Sequence, residues 1–262
     1  MKNDLAKDST IAYWLLAGLF LFANTAAWAT PFCQAQSGTH RSVLLELYTS
    51  EGCNSCPPAD YKLSQLKEQT GYAERIVPLA FHVDYWNSLG WADRFASPQN
   101  TQRQQLMASL AKSSFVYTPQ FLNNGKDWRN ALALLGRDNK TPALADISLE
   151  LGAPNRISLV INGSIRVSST HPDSDGYLAI YENNLRSQVS AGENSGRTLH
   201  HDFVVRRLIG PLPIDKSGYV SLHQEISWNP VWKPTDVGIV AFVQERTTGE
   251  ILQALQRPAC PS

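Results

Sequence analysis

The chain has 262 residues, in which 23 lysines and arginines balance 23 aspartates and glutamates. No run of like charge stands out, so the sequence offers no footprint for nucleic acid or for an acidic membrane surface. It also lacks an internal repeat, a phosphate-cradling glycine loop, a Ser-His-Asp order and an HExxH motif.

Lys2 and Lys7 mark a polar start, interrupted by Asp4 and Asp8. Residues 11–23 form an apolar run of roughly 13 residues, too short to span a bilayer comfortably and of the length of a signal h-region. Ala27-Trp28-Ala29 supplies small residues where a signal peptidase reads. The expectation is a signal peptide over 1–29, cleaved after Ala29, with an uncleaved anchor helix as the alternative. Cleavage places a mature chain of roughly 230 residues in an oxidising compartment, secreted or periplasmic, with no stable membrane insertion.

Residues 44–49 are an apolar run rich in strand formers. The run breaks at Ser50-Glu51-Gly52, and Cys53, Asn54, Ser55, Cys56, Pro57 and Pro58 follow. Leu63 and Leu66 then continue on a helix face. A strand that turns into a helix at Cys-x-x-Cys is the setting of a redox motif. The first helical turn has unpaired N–H groups and a partial positive charge, which stabilise a thiolate. Proline is tolerated only in that first turn, so the helix starts at Cys53 or later. Cys53 is the expected nucleophile, exposed, with Cys56 shielded and resolving the mixed disulfide.

Residues 75–84 read as a buried strand, followed by an aromatic loop with Tyr85, Trp86 and Trp91. Residues 99–112 carry helix formers, with Leu106, Met107 and Leu110 on one side. A short strand then ends in Asn124-Gly125, a hairpin turn signal. Residues 128–135 suit a closing helix. From Thr141 the texture changes to short alternating segments at 146–151, 156–161, 178–181, 198–208, 219–226 and 237–244, separated by Gly, Asn, Asp and Pro. Such spacing predicts a β-sandwich. The expected organisation is a signal peptide over 1–29, an α/β domain over 30–140 and an all-β domain over 141–262.

Strand, Cys53-x-x-Cys56, helix and then Thr118-Pro119 opening a strand that ends in Asn-Gly together resemble the thioredoxin fold over residues 41–137. The box from Glu46 to Pro58, with His82-Val83-Asp84-Tyr85-Trp86, also resembles a family of secreted proteins of unknown function. Members of that family carry a thioredoxin-like domain before a β-rich segment. The fold class implied is an α/β thioredoxin-like domain followed by an all-β, sandwich-like domain. The resemblance further implies a cis Thr118–Pro119 peptide beside the cysteines and an acid in the first strand, Glu46, that relays a proton to the second cysteine. Glu46 sits in an apolar strand, where an acid needs a partner or a task. Thr118 and Pro119 would pair with an extended substrate chain by strand addition, and Tyr85 and Trp86 would wall that site.

The activity expected is thiol–disulfide exchange on protein thiols, with no cofactor. The alternatives are a copper or zinc module using Cys53, Cys56 and His82, and a non-catalytic interaction protein. His82 and Asp84 share one side of a strand and suit a hydrogen-bonded structural pair better than a metal site. His200 and His201 are adjacent, so on a strand they face opposite ways and cannot chelate jointly. Cys33 and Cys260, one at each end of the mature chain, are expected to form a structural disulfide, the alternatives being that they remain unpaired or bond to another chain.

Overall fold

The computed structural model describes residues 33–69, 71–129, 140–152, 158–169, 171 and 173–258. The first elements are β1 (Cys33–Gln36), β2 (Val43–Thr49), α1 (Pro57–Ser64), β3 (Ile76–His82) and α2 (Pro98–Leu110), then the hairpin β4 (Gln120–Asn123) and β5 (Lys126–Asp127). There follow β6 (Ala145–Leu151), β7 (Ser158–Val167), β8 (Ser174–Glu182), β9 (Leu185–Gln188) and β10 (Thr198–His201). The last are β11 (Val204–Pro213), β12 (Tyr219–Ser227), β13 (Val237–Glu245) and β14 (Ile251–Pro258). The helix expected over 128–135 and Cys260 fall largely or wholly outside the described residues, as does the signal segment.

The expectation of an α/β thioredoxin-like domain followed by a separate all-β domain is overturned. Strands dominate, with two α-helices among the described residues. Strands from both halves of the chain share one eight-stranded sheet, in the order β14-β13-β8-β11-β3-β2-β4-β5. The join is β11 beside β3, parallel, with Val204 opposite Ala80. Among the described residues the other parallel pair in that sheet is β2 with β3. A second sheet, β1-β6-β7-β12, and the β9–β10 ribbon complete the described strands. The segment read as one strand over 198–208 is two, broken at Asp202-Phe203, where Phe203 takes a positive φ of 58°.

The large sheet curls. Its β14 edge returns towards β2: the Ser42 N–H donates to Gln253 Oε1 at 2.8 Å, and the Ile251 N–H to the Asn124 carbonyl at 3.4 Å. The β4–β5 turn is built for this approach. Asn124 and Gly125 both take positive φ, 46° and 84°, as a two-residue hairpin turn requires. A Cβ on Gly125 would collide with the Gly249 carbonyl.

Two apolar clusters result. One joins β2, β3, β8, β11, β13 and β14 to α1 and α2. The other fills the space between β6, β7 and β12 and the far faces of β8 and β13, through residues such as Ile147, Ile161, Ile165, Leu178, Ile180 and Ile239. β8 is therefore buried at every position. This is the pattern of a strand covered on both faces rather than of a half-exposed sandwich strand.

Candidate functional site

β2 ends in the turn that carries the cysteines. The Cys53 N–H donates to the Ser50 carbonyl, and the Cys56 N–H to the Cys53 carbonyl, each at 3.2 Å. Cys56 is the N-cap of α1 and Pro57 its first residue, the place where a missing N–H costs nothing. Cys53 and Cys56 are joined in a disulfide, with their Cα atoms 5.4 Å apart. Neither sulfur is displayed. Cys53 is 1% and Cys56 0% exposed, so the expectation of an exposed Cys53 beside a shielded Cys56 does not hold. Cys33 is also disulfide-bonded, whereas its expected partner, Cys260, lies outside the described residues.

What covers the turn comes from distant sequence. Residues 189–197, between β9 and β10, lie over it. Asn194 is fully buried, and its side-chain amide donates to the carbonyls of Glu51 at 2.9 Å and Cys53 at 3.0 Å. The Asn54 N–H donates to Glu193 at 3.1 Å. On the other flank Trp86 packs over Gly52, where an added Cβ would come within 3.0 Å of the Trp86 Cβ. Trp86 Nε1 donates to Thr118 Oγ1 at 2.8 Å, which ties the Thr118–Pro119 peptide, cis, to the cysteine turn. Tyr85 is partly exposed and its hydroxyl donates to Gln104. Pro119 opens on its far side to a groove of about 300 Å³ lined by Phe115, Tyr117, Phe121, Trp128 and Arg129.

Glu46 is engaged elsewhere. Its Oε1 accepts from Arg103 Nε of α2 at 2.6 Å, with both side chains buried, and from the Tyr48 hydroxyl at 3.3 Å. Arg103 also donates to Gln244 of β13 and lies over the rings of Phe81 and Phe242. The buried face of α2 is thus polar, with Asn100, Arg103 and Gln104 beside Met107. Leu106, expected on that face, is 46% exposed.

The opposite face of β2, reached by odd spacing along the strand, carries Thr49. Its hydroxyl donates to Asp60 Oδ2 at 3.1 Å. Asp60 lies four residues after Cys56, hence on the same side of α1, and is buried together with Glu51, His82, Asp93 and His201. His82 Nδ1 is 2.6 Å from Asp93 Oδ2, which also accepts from the Glu51 N–H at 2.9 Å. His201 lies 3.3 Å from Glu51 Oε1 and 3.7 Å from Asp60 Oδ2. Trp91 Nε1 donates to Glu51 Oε2 at 2.8 Å. Asp84 accepts from the Thr101 hydroxyl at 2.5 Å and takes no part in this cluster.

Burial pushes the Asp60 carboxyl above its ordinary value, partly offset by His201 and His82. Burial raises the Asp93 carboxyl too, but the charge and hydrogen bond of His82, with the Glu51 and Phe95 N–H groups, bring it down to about 2. Burial disfavours the charged His82 ring, yet Asp93, Asp60 and Glu51 together hold its pKa above the usual imidazole value. The donors that gather in one place are Asp60, His82 and His201. The set does not include the cysteines, which are bonded to each other. Sequence reasoning named His82 and passed over Asp60, although an acid one turn after Cys56 on an apolar helix face is a legible signal.

A curled, mainly antiparallel sheet with a two-residue disulfide turn at the end of one parallel strand defines a strand-rich protein with a buried disulfide site. The chain belongs to the family described as Protein of unknown function (DUF1223), which matches residues 44–244. The crystal structure of protein AGR_C_4864 from Agrobacterium tumefaciens is similar, at 23% identity and a TM-score of 0.58, over 86% of this chain and 98% of that one. HBP35 of Porphyromonas gingivalis is similar at 16% identity and a TM-score of 0.62, over 85% of this chain and 76% of that one. At these identities the likeness concerns the fold alone. No curated protein is significantly similar to the chain. Among the described residues no helix is long and apolar enough to cross a membrane.

Proposed function

We propose that the Cys53–Cys56 pair is a redox centre for thiol–disulfide exchange with protein thiols in an oxidising, secretory or periplasmic compartment. The observation that carries this reading is the disulfide itself. It closes a loop of two intervening residues, which is too short to constrain much chain entropy and so is a poor staple. In the oxidised state a substrate thiolate attacks one sulfur, forms a mixed disulfide and releases the other cysteine as a thiolate. A second substrate thiolate attacks the substrate sulfur of that bond and releases the first cysteine. Two electrons pass from the substrate dithiol to the pair, and the reverse sequence oxidises it.

The positive end of the α1 dipole favours the released thiolate only weakly, because Pro57 and Pro58 supply no N–H and the Ala59 and Asp60 N–H groups already bond the Cys56 carbonyl. Trp86 lies against Gly52 and holds Thr118, and Trp86 and Thr118, with Pro119 and Tyr85, would position an extended substrate chain. Because both sulfurs are buried, exchange requires a covering segment to move, and residues 189–197, held to the turn through Asn194 and Glu193, would be that segment.

The test is the reduction potential of the pair in the full-length chain, together with mixed-disulfide trapping by Cys56→Ser. A catalytic pair lies in the range of about −120 to −270 mV and Cys56→Ser accumulates adducts through Cys53. A potential below about −300 mV with no adducts would mark a structural disulfide.

A further inference from the structure

The redox reading leaves unused the buried donors beside the cysteines. Asp60, His82 and His201 come from α1, β3 and β10, and one ligand atom of each lies within 4.8 Å of the others. Each ring has a carboxylate behind it, on the side away from the other ligands. Asp93 Oδ2 is 2.6 Å from His82 Nδ1, and Glu51 Oε1 is 3.3 Å from His201 Nε2. His82 Nε2 and both His201 nitrogens are buried without a hydrogen-bond partner, His201 Nδ1 facing Asp60 Oδ2 at 3.7 Å. An unsatisfied buried polar atom is costly, so three ring nitrogens left so in one packed cluster point to a missing ligand. A carboxylate on the far nitrogen is also the support that metal-bound histidines have, because it fixes the tautomer and aims the free lone pair. The Thr49 hydroxyl holds the third donor, Asp60, in the same way.

We propose that Asp60, His82 and His201 form a binding site for a divalent transition metal of the zinc class, through the Asp60 carboxylate, His82 Nε2 and His201 Nδ1. Imidazole and carboxylate are donors that zinc accepts. A cation between three atoms at most 4.8 Å apart lies within about 2.8 Å of each, so movements of under about 1 Å reach zinc's bonding distances of about 2.0–2.2 Å. A dication also offsets two of the three negative charges that the carboxylates of Glu51, Asp60 and Asp93 would place beside two neutral imidazoles there. Three protein ligands leave a fourth position open.

The experiment uses the full-length chain with its disulfide intact, stripped by chelator and titrated with Zn²⁺ and separately with Co²⁺. The expected result is one metal ion per chain, with visible Co²⁺ d–d bands and no thiolate-to-metal charge-transfer band. A Cys53→Ser, Cys56→Ser double variant binds unchanged, and His82→Gln and His201→Gln each abolish binding. Asp93→Asn, which keeps every ligand, weakens it by roughly 10–100-fold. Should a histidine variant not fold, the wild-type titration and Asp93→Asn still decide. Absence of stoichiometric binding to the oxidised wild type overturns the site, as does binding that the cysteine variant loses and His82→Gln keeps. Both readouts are taken without thiol exchange, so redox failure and metal failure are separable.

Discussion

The two ends of the large sheet are buried equally and filled differently. Where β8 and β13 meet β6, β7 and β12, the interior is Ile, Leu and Val. Where β2 and β3 meet α1 and β10, the interior holds Thr49, Glu51, Asp60, His82, Asp93 and His201, all below one-tenth exposed. The apolar end shows what this sheet does when packing alone is required. Charge at the other end is not needed to build a sheet, and a buried ion pair is often no more stabilising than the apolar residues that could replace it. The polar end is therefore where function should be sought. The Glu46–Arg103 pair inside the curl is an intermediate case, charged but enclosed by rings.

The strongest way to break this contrast is to unpair that ion pair. Arg103→Met leaves Glu46 buried without its cation and should destabilise by about 3–5 kcal/mol. Glu46→Gln combined with Arg103→Met should recover most of the loss. Urea unfolding of the three oxidised proteins measures both, and a single variant within about 1 kcal/mol of wild type would show that Glu46 is relieved by other means.

At the apolar end, Leu178→Ala should cost about 2–5 kcal/mol through lost burial and a cavity, with no change in how fast native protein is reduced. If reduction accelerated in step with stability loss, the two ends would not be independent.

Asn194→Ala sharpens the polar side. It strands the Glu51 carbonyl and removes one of the two donors to the Cys53 carbonyl, for a cost of about 1–3 kcal/mol. It should also raise the rate at which dithiothreitol reduces Cys53–Cys56, as followed by thiol labelling. An unchanged rate would mean that residues 189–197 do not control access.

The smallest effect concerns the β13–β14 turn. Burial works against the charged Glu245, but the hydroxyl and N–H groups of Thr248 and Thr247 bring its pKa from 4.5 down to about 2. A depressed folded pKa contributes stability above the unfolded value that is lost as pH falls through the folded one. Wild type should thus lead Glu245→Gln by well under about 1 kcal/mol at pH 6, and the lead should shrink between about pH 4.5 and 2. Paired urea midpoints across that range check the sign.

Local pattern alone determined β2, the break at Ser50-Glu51-Gly52, a helix opening at Cys53 or later with Pro57 and Pro58 in its first turn, and the Asn124-Gly125 turn. Each is decided by residues a few positions apart: strand formers, proline at a first helical position, and a dipeptide that tolerates positive φ. The merging of the two halves was not legible, because it rests on Val204 finding Ala80 across more than a hundred residues. A hint was present in 237–243, which is apolar at nearly every position instead of alternating, as a strand covered on both faces must be. The expectation that His200 and His201 cannot act together is met, since His201 is buried and His200 is exposed. What the pattern could not show is that β10 would carry His201 to within 4.9 Å, ring to ring, of His82. Periodicity says which way a side chain points on its own strand. Only the packing of α1, β3 and β10 against one another decided which buried polar groups would meet.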